Sequence, residues 1–519
     1  MLELILFAAL GLGVTVLLIP FLRRQTIENR WGRRGHQFHQ THHHPISRLG
    51  GLALGGAFVV VAATVFLVTE ARNERMYTQC VIIGGALAMF GMGLWDDLRP
   101  LGAKKKLLAQ IVIAGLVYAL GLRVEIVSNP FGGVWHLGPL SAGLTVLWLV
   151  AFTNLINLID GMDGLAGGIS LLLMMLLIYV GYQTGSYPLL ASGVAGSLVG
   201  FLCFNFPPAK IYLGDGGAYF LGFLIGELTI ASSHKGTVVT ALIAPLFVLA
   251  LPILDVSLAI VRRGLKGLPI FRADKGHIHH RLIEMGLSRR RALLGMYCFT
   301  VFFLLLALMA FRTRVEMLPV LAGAGMLVVL IVMARMNFSR RWFNLGNILG
   351  QSLRMREDVA YAMSVSRWLA LEGGRVQSTE ELWSVLRFAA KRLGFSEVRL
   401  ELEDGVRCWR CEDPDRPYRG YQFSRFDFRK EGAGLIELRA RKLSKSDWEK
   451  HCGAPRQERR RGDCLDDEKT FQLVGELLAE SWHKANLQNR ERTRKSLRFA
   501  AADAKPETSA LGSGVLSAS

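Results

Sequence analysis

The sequence predicts an all-α polytopic membrane protein with about eleven transmembrane helices, followed by a small C-terminal α+β domain. Three observations lead to this fold class. Hydrophobic residues make up 51% of the 519-residue chain, which is too apolar for an ordinary soluble enzyme. These residues form blocks close to the length that crosses a bilayer. The loops between the blocks are alternately rich and poor in Lys and Arg, which is typical of multi-pass proteins.

The predicted spans follow one another through residues 1–335. Glu3 stands where a signal peptide would have a basic start, and no small-residue cleavage site follows, so the first span is expected to be retained. The approximate limits of the spans are 2–20, 50–68, 78–95, 107–122, 142–157, 169–183, 188–204, 216–232, 237–261, 292–311 and 317–335.

The distribution of basic residues predicts the orientation. Loops on one side carry 20 Lys and Arg, and loops on the other side carry 6. The positive-inside rule makes the first set cytoplasmic, with the N-terminus outside and the long C-terminal region inside. The net charge of +19 favours anionic membrane lipids and anionic substrates. Nucleic acid is not an expected partner, because topology explains the charge and no nucleic-acid motif is present. The cytoplasmic loops are 21–49, 96–106, 158–168, 205–215 and 262–291.

The most unusual polar pattern lies inside an apolar segment. Asn154, Asn157, Asp160 and Asp163 recur at every third position, which keeps their side chains on about half of a helix surface. Carboxylates near hydrocarbon are costly, so such a run predicts a functional site. One Asp would also suit a helix end closed by glycine, but four polar groups in register favour function.

A second cluster combines acids and bases. Asp96 and Asp97 are adjacent, and three lysines follow at 104–106. Neighbouring helix positions point about 100° apart, so the two acids are expected to do different jobs. A divalent cation would relieve their repulsion, although alone the pair also suits an ordinary helix end. Arg48, in an earlier loop, offers a fork-shaped cation that suits a phosphate.

Two further groups lie in predicted cytoplasmic loops. Asp215, between glycines at the start of an apolar helix, could be an oxygen ligand for a metal, but its own pattern favours a helix N-cap. His277, His279 and His280 lie in a loop rich in Arg and Lys that could hold a diphosphate. Carboxylates without a Cys/His tetrad favour Mg²⁺ over zinc. Magnesium beside basic loops suggests phosphate chemistry.

Four motifs in this order resemble the polyprenyl-phosphate N-acetylhexosamine-1-phosphate transferases. They are Asp96-Asp97, NLINLIDGMDGLAGG at 154–168, YLGDGGAYFLG at 212–222 and HIHHRL at 277–282. The resemblance implies a helical bundle of ten or eleven spans in the bacterial inner membrane. It also implies transfer of a sugar 1-phosphate from a UDP-N-acetylhexosamine to a polyprenyl phosphate, with release of UMP and a need for Mg²⁺, with Mn²⁺ as an alternative. This would be the first membrane step of cell-surface polysaccharide synthesis, and a homodimer is one option for its assembly.

The same resemblance implies roles for the candidate residues. It makes Asp215 a magnesium ligand, against the N-cap interpretation, together with Asp97. The candidate catalytic residues are Asp96, Asp97, Asp160 and Asp163. The candidate substrate-binding residues are Asn154, Asn157, Arg48, Lys104, His277, His279 and His280.

The histidine motif also bears on the substrate. The branch of the family that makes lipid I from UDP-MurNAc-pentapeptide carries consecutive histidines, whereas HIHH resembles the UDP-GlcNAc branch. GlcNAc is therefore expected, with UDP-GalNAc or a modified amino sugar still open. The alternatives are a lipid I-forming transferase and, from a different class, a membrane transporter or flippase. A transporter should show paired repeats or broken helices in corresponding halves, and the sequence shows no convincing repeat.

The last third of the chain predicts three further segments. A basic juxtamembrane linker is expected at 336–365, an α+β domain at 366–487 and a disordered tail at 488–519. Ser378 and Glu381 form a capping box, with Gly394 as the helix stop. Alternation predicts strands at 398–402 and 434–440, with a hairpin turn at Asp404-Gly405, before a helix at 468–486. This order resembles a GAF-type sensor domain, although no signature motif is present.

Overall fold

The chain forms two compact units, which are residues 1–262 with 271–343 and residues 263–270 with 344–519. The structure is a computed structural model. It describes residues 1–29, 46–68, 73–99, 101–128, 134–233, 244–265, 278, 282–283, 285–313, 317–335, 345–373, 375–376, 378–402, 404–410, 420–429, 434–442 and 468–503.

In its described residues, the first unit consists of helices and one short hairpin. Strands β1 (Ile126–Ser128) and β2 (Val134–His136) pair antiparallel between α4 and α5. The helices are α1 (Leu2–Asn29), α2 (Gly50–Val68), α3 (Asn73–Leu98), α4 (Ala103–Ala119), α5 (Leu140–Ile159), α6 (Leu165–Thr184), α7 (Pro188–Asn205), α8 (Gly214–Ser233), α9 (Ala250–Leu265), α10 (Arg289–Arg312) and α11 (Leu318–Arg335).

The predicted multi-pass architecture is confirmed. In the described part of the chain, 7 helices are long and apolar enough to cross a membrane, namely α1, α2, α3, α5, α6, α7 and α10. Pro252–Val261 and Val320–Ile331 are shorter apolar helical segments. The predicted spans 107–122 and 216–232 overlap α4 and α8. The full number of eleven spans stays a prediction.

Helix α8 lies at the centre of this unit. Its residues 216–232 are buried without interruption, and it packs against α2, α3, α5 and α6. Close approach depends on Gly93 of α3, where a Cβ would lie only 2.7 Å from the backbone oxygen of Asp215. Glycine therefore brings the end of α3 directly against the start of α8.

The described residues of the second unit form a four-stranded antiparallel sheet covered by helices. Its strands are β3 (Glu397–Leu402), β4 (Gly405–Arg410), β5 (Gly420–Phe428) and β6 (Gly434–Lys442), in the spatial order β4-β3-β6-β5. Its helices are α12 (Leu345–Gly373), α13 (Thr379–Leu393) and α14 (Glu468–Asp503). Its core contains Leu386, Val398, Leu438, Phe471 and Trp482.

Local signals predicted several parts of this unit correctly. The Ser378 hydroxyl accepts a hydrogen bond from the Glu381 N–H, and Gly394 ends the helix with φ +92°. The turn between β3 and β4 pairs Leu402 with Gly405, as the Asp-Gly signal predicts. Strand β5 was not predicted.

Two predicted boundaries differ from the structure. The helix α12 begins at Leu345, inside the segment expected to be a linker, and it contributes Ala362 and Leu369 to the core. The helix α14 continues to Asp503, past residue 487 where a disordered tail was expected to begin. Both helices gain stability from packing against each other, a tertiary contribution that composition does not report.

Candidate active site at the ends of four helices

Four helix ends meet on one side of the membrane unit. Asp96 and Asp97 lie in the last turn of α3, and Lys106 lies near the start of α4. Asn157 belongs to the last turn of α5, and Asp215 to the first turn of α8. Because the central helix α8 packs against both α3 and α5, these polar side chains converge instead of facing separate lipid surfaces.

Lys106 joins two of the acids. Its Nζ lies 2.5 Å from Oδ2 of Asp96 and 3.2 Å from Oδ2 of Asp215. The Asp96 side chain is fully buried, whereas those of Lys106 and Asp215 are 24% and 25% exposed. Asp96 also accepts the Leu101 N–H at 2.6 Å. A buried carboxylate requires such partners, and the lysine side chain therefore holds Asp96 and Asp215 together.

Asp215 points into the cluster and does not close its own helix. Its Oδ1 accepts a hydrogen bond from Nδ2 of Asn157 at 3.1 Å, and its Oδ2 contacts Lys106. The N-cap interpretation of this residue is therefore wrong. The partly exposed carboxylate is instead held by an amide and an ammonium group, in a position open to a ligand.

Asp97 provides the cap for α8. Its Oδ1 accepts the Asp215 N–H at 3.1 Å, and its Oδ2 accepts the Gly216 N–H at 2.8 Å. A carboxylate at a helix N-terminus is favoured by the free N–H groups and by the helix dipole. Gly214 makes the turn with φ +75°, and a Cβ there would lie 2.8 Å from Oδ2 of Asp97. Asp97 thus fixes the position of Asp215, and its own role as a metal ligand or catalyst stays a prediction.

Asp163 organises the neighbouring loops. Its Oδ2 accepts the Ala209 N–H at 3.1 Å, which joins the loop after α5 to the loop before α8. Asn205 makes a second link, accepting the Gly164 N–H at 2.9 Å and donating to the Ile211 oxygen at 2.7 Å. These hydrogen bonds hold the loop after α5 and the loop before α8 together beside the cluster.

Asp160 and Arg48 lie next to the same two loops. Asp160 closes the C-terminal end of α5. Burial raises the pKa of the nearby Tyr212 phenol to about 12, and the negative charges of Asp163 and Asp160 act in the same direction. The positive charges of Arg289 and Arg48 oppose this rise. The Tyr212 N–H also donates to the Ser47 oxygen at 2.8 Å, so the backbone next to Arg48 contacts the loop before α8.

The remaining predicted substrate-binding residues have three different outcomes. Asn154 donates to Oε1 of the buried Gln110 at 2.7 Å and to the Val150 oxygen at 2.8 Å, so it links α5 to α4 without contacting Asp215. Lys104 is exposed, and it is Lys106 that reaches the acids. The three histidines at 277, 279 and 280 lie outside the described residues.

Three positioning groups were not predicted from the sequence. Gln110 is an isolated amide in an apolar helix, which was the available signal. Tyr297 of α10 donates to the Gly164 oxygen at 2.5 Å, and no local sequence pattern predicts this hydrogen bond. Asp255 of α9 accepts the Ile278 N–H at 2.9 Å and so holds the residue inside the HIHH motif. An acid near the end of a span was the signal for Asp255.

The donor chemistry of the site fits magnesium. Among the described residues, no three His, Cys, Asp or Glu side chains form a ready-made metal cage. Magnesium seldom uses such a cage, because it prefers one or two carboxylates, waters and the phosphates of a substrate. The partly exposed Asp215 carboxylate, with the oxygen-rich cluster around it, meets that requirement.

Fold and site together define a class of protein, a polytopic membrane enzyme built around buried carboxylates at helix ends. The sequence pattern of the family described as Glycosyl transferase family 4 matches residues 79–233, which include α4 to α8. The matched range contains Asp96-Asp97, the run at 154–168 and the motif at 212–222.

Individual relatives agree with this match. The chain is 38% identical over 261 residues to the probable undecaprenyl-phosphate N-acetylglucosaminyl 1-phosphate transferase of Bacillus subtilis, which covers 50% of this chain and 71% of the relative. It is 35% identical over 283 residues to the decaprenyl-phosphate N-acetylglucosaminephosphotransferase of Mycobacterium leprae, covering 49% and 70%. A phospho-N-acetylmuramoyl-pentapeptide-transferase of Moorella thermoacetica is 34% identical over 292 residues, covering 52% and 87%. The chain belongs to this family of polyprenyl-phosphate N-acetylhexosamine-1-phosphate transferases.

Proposed function

We propose that this chain transfers N-acetylglucosamine 1-phosphate, or the 1-phosphate of a related amino sugar, from a UDP-sugar to a polyprenyl phosphate and releases UMP. The observation that carries the proposal is the contact of Asp96, Asp215 and Lys106 at the ends of three different helices. The names of the Bacillus and Mycobacterium relatives support the choice of sugar and lipid.

In this reaction an oxygen of the lipid phosphate forms a bond to the β-phosphorus of the UDP-sugar. The bond from that phosphorus to the oxygen of the leaving UMP breaks, and its electron pair leaves with UMP. Catalysis of this kind depends mostly on positioning and charge neutralisation. Lys106 would neutralise charge beside the diphosphate, and Asp96 would accept the proton of a protonated lipid phosphate. Asp160, Asp163 and Arg48 would border the nucleotide.

Magnesium is the proposed cofactor, with manganese as a possible substitute. When bound, it would neutralise the diphosphate and polarise its oxygens. Asp215 would hold it, while Asn157 and Lys106 keep the Asp215 carboxylate in position. A direct test is the binding of Mn²⁺ to the purified protein followed by electron paramagnetic resonance, with Asp215→Asn as the variant.

An aspartate nucleophile with a covalent phospho-sugar intermediate is the other route to the same products. For Asp97 the cap of α8 supports the direct route, because attack by either of its oxygens would weaken the hydrogen bonds from the Asp215 and Gly216 N–H groups. Rapid quenching with a sugar-labelled UDP-sugar distinguishes the routes, since only the covalent route leaves label on the protein.

We further propose that eleven spans cross the inner membrane of a bacterium, with the N-terminus outside and the C-terminal unit in the cytoplasm. The charge asymmetry of the loops supports this orientation, and the site residues flank loops of the basic set. The four-stranded antiparallel sheet of the C-terminal unit supports its likeness to GAF-type sensor domains. Protease treatment of sealed inside-out vesicles should remove the C-terminal unit, whereas right-side-out vesicles should protect it.

The Moorella relative supports one second candidate, transfer of phospho-MurNAc-pentapeptide. Purified protein with Mg²⁺, undecaprenyl phosphate and a panel of UDP-sugars separates the candidates by UMP release. Release with UDP-GlcNAc supports the main proposal, and release with UDP-MurNAc-pentapeptide alone supports the second candidate. A transporter would release no UMP with any donor.

A further inference from the structure

The C-terminal unit exposes a group of large apolar side chains on α12 and α13. Tyr361 and Leu371 are 46% and 66% exposed, and Trp368 and Phe388 are 38% and 47% exposed. Tyr361, Trp368 and Leu371 are spaced by seven and three residues, which places them on one side of α12. The rings of Trp368 and Phe388 lie 5.2 Å apart and join the two helices. We call this group of Tyr361, Trp368, Leu371 and Phe388 the aromatic face.

The aromatic face is separate from the core of its unit. The buried residues Ala362 and Leu369 of α12, and Leu386 and Ala389 of α13, already fill the core. The exposed side chains are therefore not needed to complete it. A contiguous exposed apolar patch bordered by charged residues is a candidate surface for contact with a partner.

Cations surround the aromatic face. The guanidinium of Arg392 lies 5.1 Å from the ring centre of Phe388, and Arg367 and Lys391 are exposed nearby on the same two helices. Among the acids of these helices, Glu372 and Glu380 each pair with an arginine, and Glu381 is exposed at the start of α13. Aromatic rings beside Lys and Arg are typical of helices that lie on an anionic membrane surface.

The length of the connecting chain also favours a membrane. Helix α11 ends at Arg335 and α12 begins at Leu345. Residues 336–344 can span at most about 35 Å when fully extended, and they include Arg340 and Arg341. Because α11 is the last of the proposed spans, this tether keeps the start of α12 near the bilayer. The aromatic face lies about 24–39 Å further along α12. It meets the bilayer at a raised effective concentration when α12 lies along the membrane surface, so even a weak lipid contact would be populated.

We propose that the aromatic face docks onto anionic lipid headgroups, with the aromatic rings at headgroup depth and the cations on lipid phosphates. This role is independent of sugar-phosphate transfer, and UMP release reports that reaction separately. A second copy of the chain is the competing occupant of the face.

Hydroxyl-radical footprinting of the full chain in lipid nanodiscs tests the proposal, because it measures the solvent exposure of individual side chains. Discs that hold one copy are made of phosphatidylcholine alone or with about 30% phosphatidylglycerol. Oxidation of Trp368 and Phe388 should fall by about threefold or more in the anionic discs. Tyr421 and Phe423, which are 52% and 51% exposed on the sheet, serve as internal controls and should not change.

Two variants complete the test. Arg367→Glu with Lys391→Glu should restore oxidation of Trp368 in anionic discs, while the buried Trp482 stays protected and shows that the unit is folded. The matched substitutions Tyr421→Ser and Phe423→Ser should leave the protection of Trp368 intact. Equal oxidation of Trp368 in both lipids would overturn the proposal. Protection that grows with protein concentration in detergent, and is absent from single-copy discs, would overturn it in favour of a second copy.

Discussion

Replacing Lys106 by glutamine should remove the cation that contacts both Asp96 and Asp215. At 3.2 Å and an effective dielectric constant of about 20, the attraction between Lys106 and Asp215 is about 5 kcal/mol before desolvation is subtracted. Removing one partner of a buried ion pair typically costs about 3–5 kcal/mol. We take the lower value of about 3 kcal/mol, because Lys106 and Asp215 are about a quarter exposed and water screens them.

If this loss applies to the transition state, the rate should fall by about 10²-fold. The assay is UMP release from UDP-GlcNAc by purified Lys106→Gln protein, at saturating Mg²⁺ and lipid phosphate. Lys104→Gln is the matched control, because it removes an exposed lysine from the same helix turn and should keep nearly full activity. A Lys106→Gln rate within about threefold of the control would refute the charge-neutralising role of Lys106.

Three further predictions follow from named contacts. Asp215→Asn should abolish UMP release while the protein still inserts into membranes; near-normal turnover would exclude its metal role. Asp255→Ala should raise KM for the UDP-sugar more than it lowers kcat, because the Ile278 N–H loses its hydrogen-bond acceptor. Asp255→Asn keeps an acceptor oxygen and should return KM most of the way to its original value. Equal kinetics of the two variants would contradict this role. Ser378→Ala should destabilise α13 by about 1 kcal/mol, because the Glu381 N–H loses its acceptor. Amide hydrogen exchange at 379–393 should become faster, while exchange in α14 stays unchanged. Unchanged exchange in α13 would contradict the capping role of Ser378.

The helices were predictable because their signals are local. The apolar blocks around α2, α6 and α7 have the length and composition of spans, and both properties belong to the segment alone. In the same way, Ser378 and Gly394 mark the ends of α13 through hydrogen bonds and backbone angles within a few residues. The start of α12 was not predictable, because that helix is stabilised by packing against α14 far along the chain.

The acidic residues of the site were also visible in the sequence, since carboxylates are costly in apolar segments and stand out there. Their partners were not visible. The bond from Asn157 to Asp215 joins positions 58 residues apart, and the contact of Lys106 with Asp215 joins positions 109 apart. No spacing rule connects such positions, because the distance between them depends on which helices pack around α8.

The amino-acid sequence by itself determined that the chain contains several apolar spans, that the loops between them alternate in Lys and Arg content, and which residue types the site contains. Each of these follows from the transfer of individual side chains between water and lipid, or from covalent neighbours. Only the tertiary structure decided that Asp97 caps α8, that Lys106 and not Lys104 joins the acids, and that Asp215 faces the cluster. The physical reason is that ion pairs and hydrogen bonds act over about 3 Å, and only helix packing brings distant residues that close together.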